Sequence, residues 1–437
     1  MKKILVNVAM VAIVFSFLCA QATAAVIWRE GAVPVEAEMA GQGGRIHIGK
    51  LKIIPSVAVQ GVYDSNIFLG NDFTKNQVNP QGIVLKPIKS DYILHTMPGV
   101  LFDFSLPDRG SVKLAYEGDW AFYRYTTANN WNKQRGLFSV DYQAPAGLIL
   151  GISNIFSKAN DPYGDASQYG LGLTKKRWNN DFTGKIGWDF FNRFKALAYY
   201  NYYKQKYKDE RDYTQNWADN EFGLGFEMKV LPKTWAFVRY HYGTQDFYDH
   251  RGNTTGNNNA SNKWNRGNIG LAWDGGGKIG GELNFGYEWL KFDNNIDPQG
   301  NKYNDKNTWI AATSMNYSPT ATTTLTLNIA RAIRPTGADK QEYYEDTQIG
   351  INLNQDLPYK FSTTIGFAYS RNAYNTNATF LNEDRTDNNF NGNVNVKYMI
   401  QSWLSADAGY RYMRKDSNSI DQEFTDQQVM VMLRASY

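Results

Sequence analysis

Beyond about residue 50 the chain breaks into roughly eighteen short segments in which apolar and polar side chains take turns, the pattern of strands that have two unlike faces. In 222–230, Phe222, Leu224, Phe226, Met228 and Val230 share one parity, while Gly223, Gly225, Glu227 and Lys229 share the other. Phe182, Ile186, Trp188 and Phe190 stand against Thr183, Lys185, Gly187 and Asp189 in the same way. So do Leu283, Phe285, Tyr287 and Trp289 against Glu282, Asn284, Gly286 and Glu288. Phe390, Val394, Val396 and Tyr398 oppose Asn391, Asn393, Asn395 and Lys397. Successive strand residues point to opposite sides, so each segment offers one face suited to lipid and one suited to water.

The connections alternate as regularly. Short turns are expected at Leu106–Arg109, Ala144–Gly147, Phe191–Arg193, Leu231–Lys233, Asp274–Lys278, Ser318–Thr320, Leu357–Lys360 and Ile400–Ser402. Each lies between segments whose far ends carry long polar loops, as at 157–176 and 204–216. Short turns at one end and long loops at the other are the layout of a transmembrane antiparallel β-barrel with periplasmic turns and extracellular loops. A ring of about eighteen strands is wide enough for an aqueous lumen. The predicted fold class is therefore all-β, one barrel over 51–437, preceded by a short periplasmic segment at 25–50.

Composition fits this pattern. Mean hydropathy is −0.52 with 42% hydrophobic residues, yet 15% of the chain is aromatic, including 29 Tyr and 12 Trp. A barrel shows only alternate residues to lipid, which keeps hydropathy low while its girdles collect aromatics. Trp131, Trp178, Trp217, Trp264 and Trp309 fall near outer strand ends, and Trp120, Trp188, Trp235, Trp273 and Trp403 elsewhere. An interfacial belt is the expectation for them, and stacking with sugars the alternative.

At the N-terminus, Lys2 and Lys3 precede an apolar run from Ile4 to Ala20, and Ala22-Thr23-Ala24 supplies an A-x-A cleavage site, so 1–24 reads as a secretory signal. The lone cysteine, Cys19, lies inside it behind Leu18, which does not suit a lipoprotein site. Taking away Lys2 and Lys3 lowers the formal charge of +4 by two, a balance that gives no reason to expect a nucleic-acid partner.

The water-facing parity carries both signs. Lys113, Lys185, Lys195, Lys229, Arg239, Lys360, Lys397, Arg411 and Arg434 are its cations. Asp103, Glu117, Asp119, Asp141, Asp189, Glu227, Glu282, Glu288 and Asp407 are its anions. Either they line a weakly selective pore or they pair across strands and fill part of the interior, and register decides between the two.

Candidate chemistry is sparse. The four histidines, His47, His95, His241 and His250, show no metal spacing, and His241 shares its parity with Arg239. His250 with Asp249 and Asp246 lacks a positioned nucleophile. The oxygen-rich loop Asp293–Asp305 has Pro298 where a calcium loop needs its turn glycine. Asn257–Asn259 and Asn388-Asn389 suit ordinary loops. Neither an enzyme nor a cofactor is expected. The loop around Asn79-Pro80-Gln81-Gly82 leads into apolar Ile83–Leu85, which suggests that 76–86 folds over or into the mouth.

The last segment sets Val429, Val431, Leu433, Ala435 and the terminal Tyr437 on one face. An apolar final strand ending in an aromatic resembles the signal read by the barrel assembly machinery, and points to the outer membrane of a Gram-negative bacterium. The first segment ends in Tyr63-Asp64-Ser65-Asn66-Ile67-Phe68 after Ile54-Pro55-Ser56, and Ser90-Asp91-Tyr92 and Met97-Pro98-Gly99 follow. Over about 53–104 this resembles an outer-membrane β-barrel porin family associated with exopolysaccharide synthesis and export. The resemblance implies a channel without chemistry of its own, an exit for a polysaccharide with periplasmic export components as partners. A diffusion porin for uptake is the alternative. On physical grounds Asp64, Ser65 and Asn66 are suited to bonding nearby backbone, with Ile67 and Phe68 at the interface.

Overall fold

The computed structural model describes residues 46–72, 87–106, 109–161, 175–209, 216–248, 261–273, 278–293, 304–335, 341–376, 385–419 and 422–437. The expected signal segment, residues 25–45, the 76–86 loop, Asp249 with His250, Asn257–Asn259, most of the turn at 274–278 and the middle of the Asp293–Asp305 loop lie outside them.

The short strand β1 (Ile46–Ile48) folds back on β2 (Leu51–Asp64). Then come β3 (Asp91–Leu106), β4 (Gly110–Tyr123), β5 (Trp131–Gln143), β6 (Leu148–Asp161), β7 (Lys175–Phe190) and β8 (Phe194–Tyr207). The middle of the chain forms β9 (Trp217–Leu231), β10 (Thr234–Asp246), β11 (Asn262–Trp273), β12 (Ile279–Phe292) and β13 (Lys306–Thr320). It finishes with β14 (Thr323–Pro335), β15 (Gln341–Asp356), β16 (Phe361–Thr376), β17 (Thr386–Gln401), β18 (Leu404–Ser417) and β19 (Phe424–Ser436). From β2 onward every strand pairs antiparallel with its chain neighbours, and β19 returns to pair with β2. The result is a closed ring of eighteen strands, with β1 as an appendage on β2. Closure satisfies every ladder within the chain, which a sheet in lipid requires.

The two faces separate as the alternation predicts. Phe222, Leu224, Phe226, Met228 and Val230 are exposed outward, as are Val429, Val431 and Leu433 on β19. The strands are longer than the patterned segments, from 12 residues in β11 to 16 in β3. At about 3.3 Å per residue the longest reaches ~50 Å, against an apolar band of ~25 Å, so these strands continue past the lipid. The alternation of apolar residues marks only the part in the membrane.

Two turns sit later than expected. β13 runs to Thr320 and the turn falls at 321–322; β17 runs to Gln401 and turns at Ser402-Trp403. Register irregularities between Tyr317 and Thr320, and between Met399 and Gln401, carry the extra residues, a displacement that bulges produce and composition does not announce. Lys360 lies exposed in a turn with φ of 66° and not on the inner wall.

Candidate channel wall

On β8–β12 the inward charges meet. Arg239 on β10 donates from Nη2 to Glu227 Oε1 at 3.0 Å and from Nη1 to Glu282 Oε1 at 2.9 Å, bridging β9 to β12. Lys195 Nζ lies 3.7 Å from Glu227 Oε2 and 3.6 Å from the Trp235 ring, and Lys229 approaches that ring from 5.2 Å. Asn284 Nδ2 donates to Glu282 Oε1 at 2.8 Å, and Asn284 Oδ1 accepts from Asn268 Nδ2 at 2.9 Å. Toward the long-loop end Arg266 Nε donates to Glu288 Oε2 at 2.5 Å with its guanidinium 3.7 Å over Trp264. His241 Nδ1 lies 2.7 Å from Glu221 Oε1, with Tyr199 stacked on its ring at 5.6 Å. Trp264 is seated because Gly243 faces it across the ladder; a Cβ there would fall 2.1 Å from the indole. Arg239 is 4% exposed, Glu288 1% and His241 0%, so this sector is nearly dry.

The wall of β13–β17 is unlike it. Its mid-barrel inward positions are Ser314, Asn316, Thr326, Asn328, Gln348, Asn352, Asn354, Thr364, Asn391, Asn393 and Asn395, with Ala and Gly between. Across Thr308–Asn316, Thr326–Ala332, Gln348–Asn354, Ser362–Asn372 and Asn389–Asn395, the inward parity carries no charge. Ser314 Oγ donates to Asn328 Oδ1 at 2.8 Å, Thr326 Oγ1 to Asn316 Oδ1 at 2.7 Å, and Thr364 Oγ1 to Asn354. The amides of Asn352 and Asn393 converge over Gly366, where a Cβ would lie 2.6 to 2.7 Å from them. Ser314 and Asn316 are exposed and most of the others half-buried, so this wall keeps water.

The remaining expected wall residues take inward parity around the rest of the ring. Lys113 stands opposite Asp103, Glu117 opposite Arg135, and Asp119 opposite Lys133 with His95 Nδ1 3.0 Å from its Oδ1. Lys185 faces Gly151 beside Asp141, and Asp189 faces Lys195. Lys397 faces Asp407, while Arg411 and Arg434 face Gln428 and Ser405. One inward feature was not expected. Ile54, Leu101, Ala115, Leu137 and Ile155 form a single register row of buried apolar side chains across β2–β6.

The Tyr63–Phe68 motif is a seam. Asp64 Oδ1 accepts from the Asn66 backbone N–H at 2.8 Å, the local bond expected of it. The other partners lie on β19 and the residue order cannot announce them: Asn66 Nδ2 donates to Thr425 O at 2.9 Å, Ser65 Oγ to Asp426 Oδ1 at 2.9 Å, and Gln428 Nε2 to Asp64 Oδ2 at 3.0 Å. Gly70 N–H returns a bond to Asn66 Oδ1 at 3.0 Å. Tyr63 faces outward against Tyr92 at 5.2 Å. The motif thus ties the first membrane strand to the last. Ile67 departs from expectation: it is buried with Val62, Ile93, Ala121, Tyr123 and Met430, and Phe68 packs against that cluster. The chain turns inward after Asn66, with Leu69 at φ of 48° and bonded to Asn66 O, which carries both residues off the lipid side.

The tryptophan belt holds only in part. Trp188, Trp289, Trp309 and Trp403 are exposed outward, but Trp235 and Trp264 are buried inside among cations. Trp131 packs beside His95 and Trp217 beside Tyr203, both on inward parity. Gly243 opposite Trp264, and the cations beside Trp235 and Trp264, make room for these two rings on the water side. Of the oxygen-rich loop, Asp293 pairs with Lys263 at 2.7 Å and Asp305 accepts from Phe292 N–H at 3.1 Å. Tyr437 N–H donates to Pro55 O at 3.0 Å, closing the seam at the short-turn end.

Among solved structures the chain is similar to OccAB4 of Acinetobacter baumannii, at 9% identity and a TM-score of 0.42, covering 88% of this chain and 98% of that one. It is similar to the outer membrane protein OpdK of Pseudomonas aeruginosa at 11% identity and a TM-score of 0.41, covering 88% and 99%. The siderophore receptor PirA of Pseudomonas aeruginosa follows at 8% identity and 0.39, covering 88% and 80%. These likenesses are too distant to bear on substrate. No curated protein matches the sequence. With an outward apolar face, a closed ring and inward polar walls, the chain is an outer-membrane β-barrel, and its residues 41–437 place it in the family described as "Putative beta-barrel porin 2".

Proposed function

We propose that the barrel is a channel for neutral, polyhydroxylated solutes, the exit of an exopolysaccharide or its fragments, and performs no chemistry on them. The observation that carries the substrate class is the uncharged mid-barrel stretch of the β13–β17 wall. Amides and hydroxyls that already exchange hydrogen bonds with one another, as Ser314–Asn328 and Thr326–Asn316 do, can trade them for sugar hydroxyls at little cost. The opposing charges of β8–β12 are tied to each other, so they present little net field to an ion. Outward direction rests on the resemblance of the first hairpin, whose motif here serves the seam, and export would need periplasmic partners.

The test is secreted and surface polysaccharide in a clean deletion strain restored from a plasmid. Specific loss with an intact outer membrane supports export. Normal polysaccharide refutes it and leaves uptake of the same solute class, which growth on neutral oligosaccharides would then measure.

A further inference from the structure

The outward face of β6–β8 at its long-loop end gathers five lysines. Three register rows lie one above another. Phe156, Asn180 and Lys204 form the first, Lys158, Trp178 and Lys206 the second, and Asn160, Lys176 and Lys208 the third. Adjacent strands stand about 4.8 Å apart and alternate residues ~6.8 Å, so five ammonium groups share a small patch centred on one indole. Lys158, Lys176, Lys206 and Lys208 are exposed, and Lys204 sits 4.6 Å over the Tyr248 ring.

Several other cations of the rim are answered by acids. Lys263 pairs with Asp293 at 2.7 Å, Arg414 with Asp416 at 2.6 Å, and Lys306 and Arg331 with Glu345. Among the described residues, none of the five β6–β8 lysines has an ion pair. Directly on the membrane side of them, the outward surface carries hydrogen-bonding groups where lipid tails would want none. Asn154 and Asn180 exchange bonds at 3.2 and 3.0 Å, and Tyr200 Oη donates to Asn220 at 3.1 Å. Below these the face turns apolar with Ile186, Trp188 and Phe190.

We propose that this patch docks a phosphorylated glycolipid of the outer leaflet. Its phosphates would sit among the lysines, its sugars against Trp178 and the asparagine pair, and its acyl chains along the apolar face below. The depth order of ammonium, amide and apolar groups matches the order of phosphate, sugar and chain in such a lipid. The inference rests on the membrane location and not on what passes through the lumen.

The test titrates the purified full-length protein in detergent with bis-phosphorylated lipid A and with the same lipid dephosphorylated, read by native mass spectrometry. The expected result is at least about tenfold preference for the phosphorylated form, weakening with salt. A K158Q/K176Q/K206Q/K208Q variant should lose that preference, whereas K263Q/K291Q/R371Q/R414Q, equal in charge removed, should keep it. Heat-modifiable gel mobility reports whether each variant is folded, and the milder K206Q/K208Q pair, at an exposed strand end, should lose part of the preference. Equal binding of both lipids to the native protein would overturn the proposal. So would equal loss in the two fourfold variants, which would reduce the effect to general charge.

Discussion

Across β8–β12 the inward side chains are ion-paired, ring-stacked and almost dry; across the mid-barrel stretch of β13–β17 they are amides, hydroxyls and small residues that stay wet. The inward charges Arg334, Asp346, Asp387 and Lys397 lie nearer the strand ends. Both walls have the same pleat and the same antiparallel ladders, so the difference lies in chemistry and not in backbone. A charge on a strand wall has a neighbour about 5 Å away on each side, and when that neighbour has opposite sign the two satisfy each other and exclude water. Asparagine and threonine have no such obligatory partner, and their bonds exchange with solvent. One wall therefore serves as internal bracing and the other as the surface a solute meets.

Changing the bracing should show the largest effect. Arg239→Ala leaves Glu227 and Glu282 facing each other without their shared cation, and should lower stability by about 3–5 kcal/mol. Asn352→Ala on the wet wall should stay within ~0.5 kcal/mol. Urea midpoints of the refolded protein in detergent compare the two, and equal losses would erase the distinction between the walls.

A smaller contrast comes from the two glycines. Gly243→Val drives a branched side chain into Trp264, whose indole is hemmed by Arg266, and should cost about 1–3 kcal/mol. Gly366→Ala meets only the ends of Asn352 and Asn393, which can swing into water, so its cost should be the lesser. The same unfolding curves measure both, and the reverse order would mean that the β13–β17 wall is packed as tightly as its counterpart.

Smallest in stability, though not in function, is a change of charge on the wet wall. Asn328→Asp with Asn391→Asp adds two unanswered carboxylates and should turn a weakly selective pore toward cations. Glu282→Gln, which leaves Arg239 paired with Glu227, should move the reversal potential less. Equal shifts would show that the paired charges still act on permeating ions.

Much of this was legible in the chain. Lipid on one side and water on the other force the alternation seen in 222–230, and the barrel follows from it. What alternation does not encode is register, and register decided the site. Arg239 and Glu282 lie on strands two apart, so their pairing waits on β11 being in place. Trp235 and Trp264 read as belt residues by type, yet a cation beside one and a glycine opposite the other put them inside. Asp64 and Asn66 showed their local bond, but Thr425, Asp426 and Gln428 come from the far end of the chain. The alternating Lys204-Gln205-Lys206-Tyr207-Lys208 was a visible signal of an outward basic strand end, hidden because lysines in a loop look the same.

A hydrated path along an uncharged wall is what makes the barrel a channel for neutral solutes. Single-channel conductance of the reconstituted protein in planar bilayers, with neutral oligosaccharides added, tests it most directly. Open channels with weak ion selectivity are expected, whose current the sugars interrupt, and whose interruption weakens when Asn352 and Asn393 become alanine. A barrel that conducts no ions, or one with strong charge selectivity that neutral sugars do not touch, would contradict it.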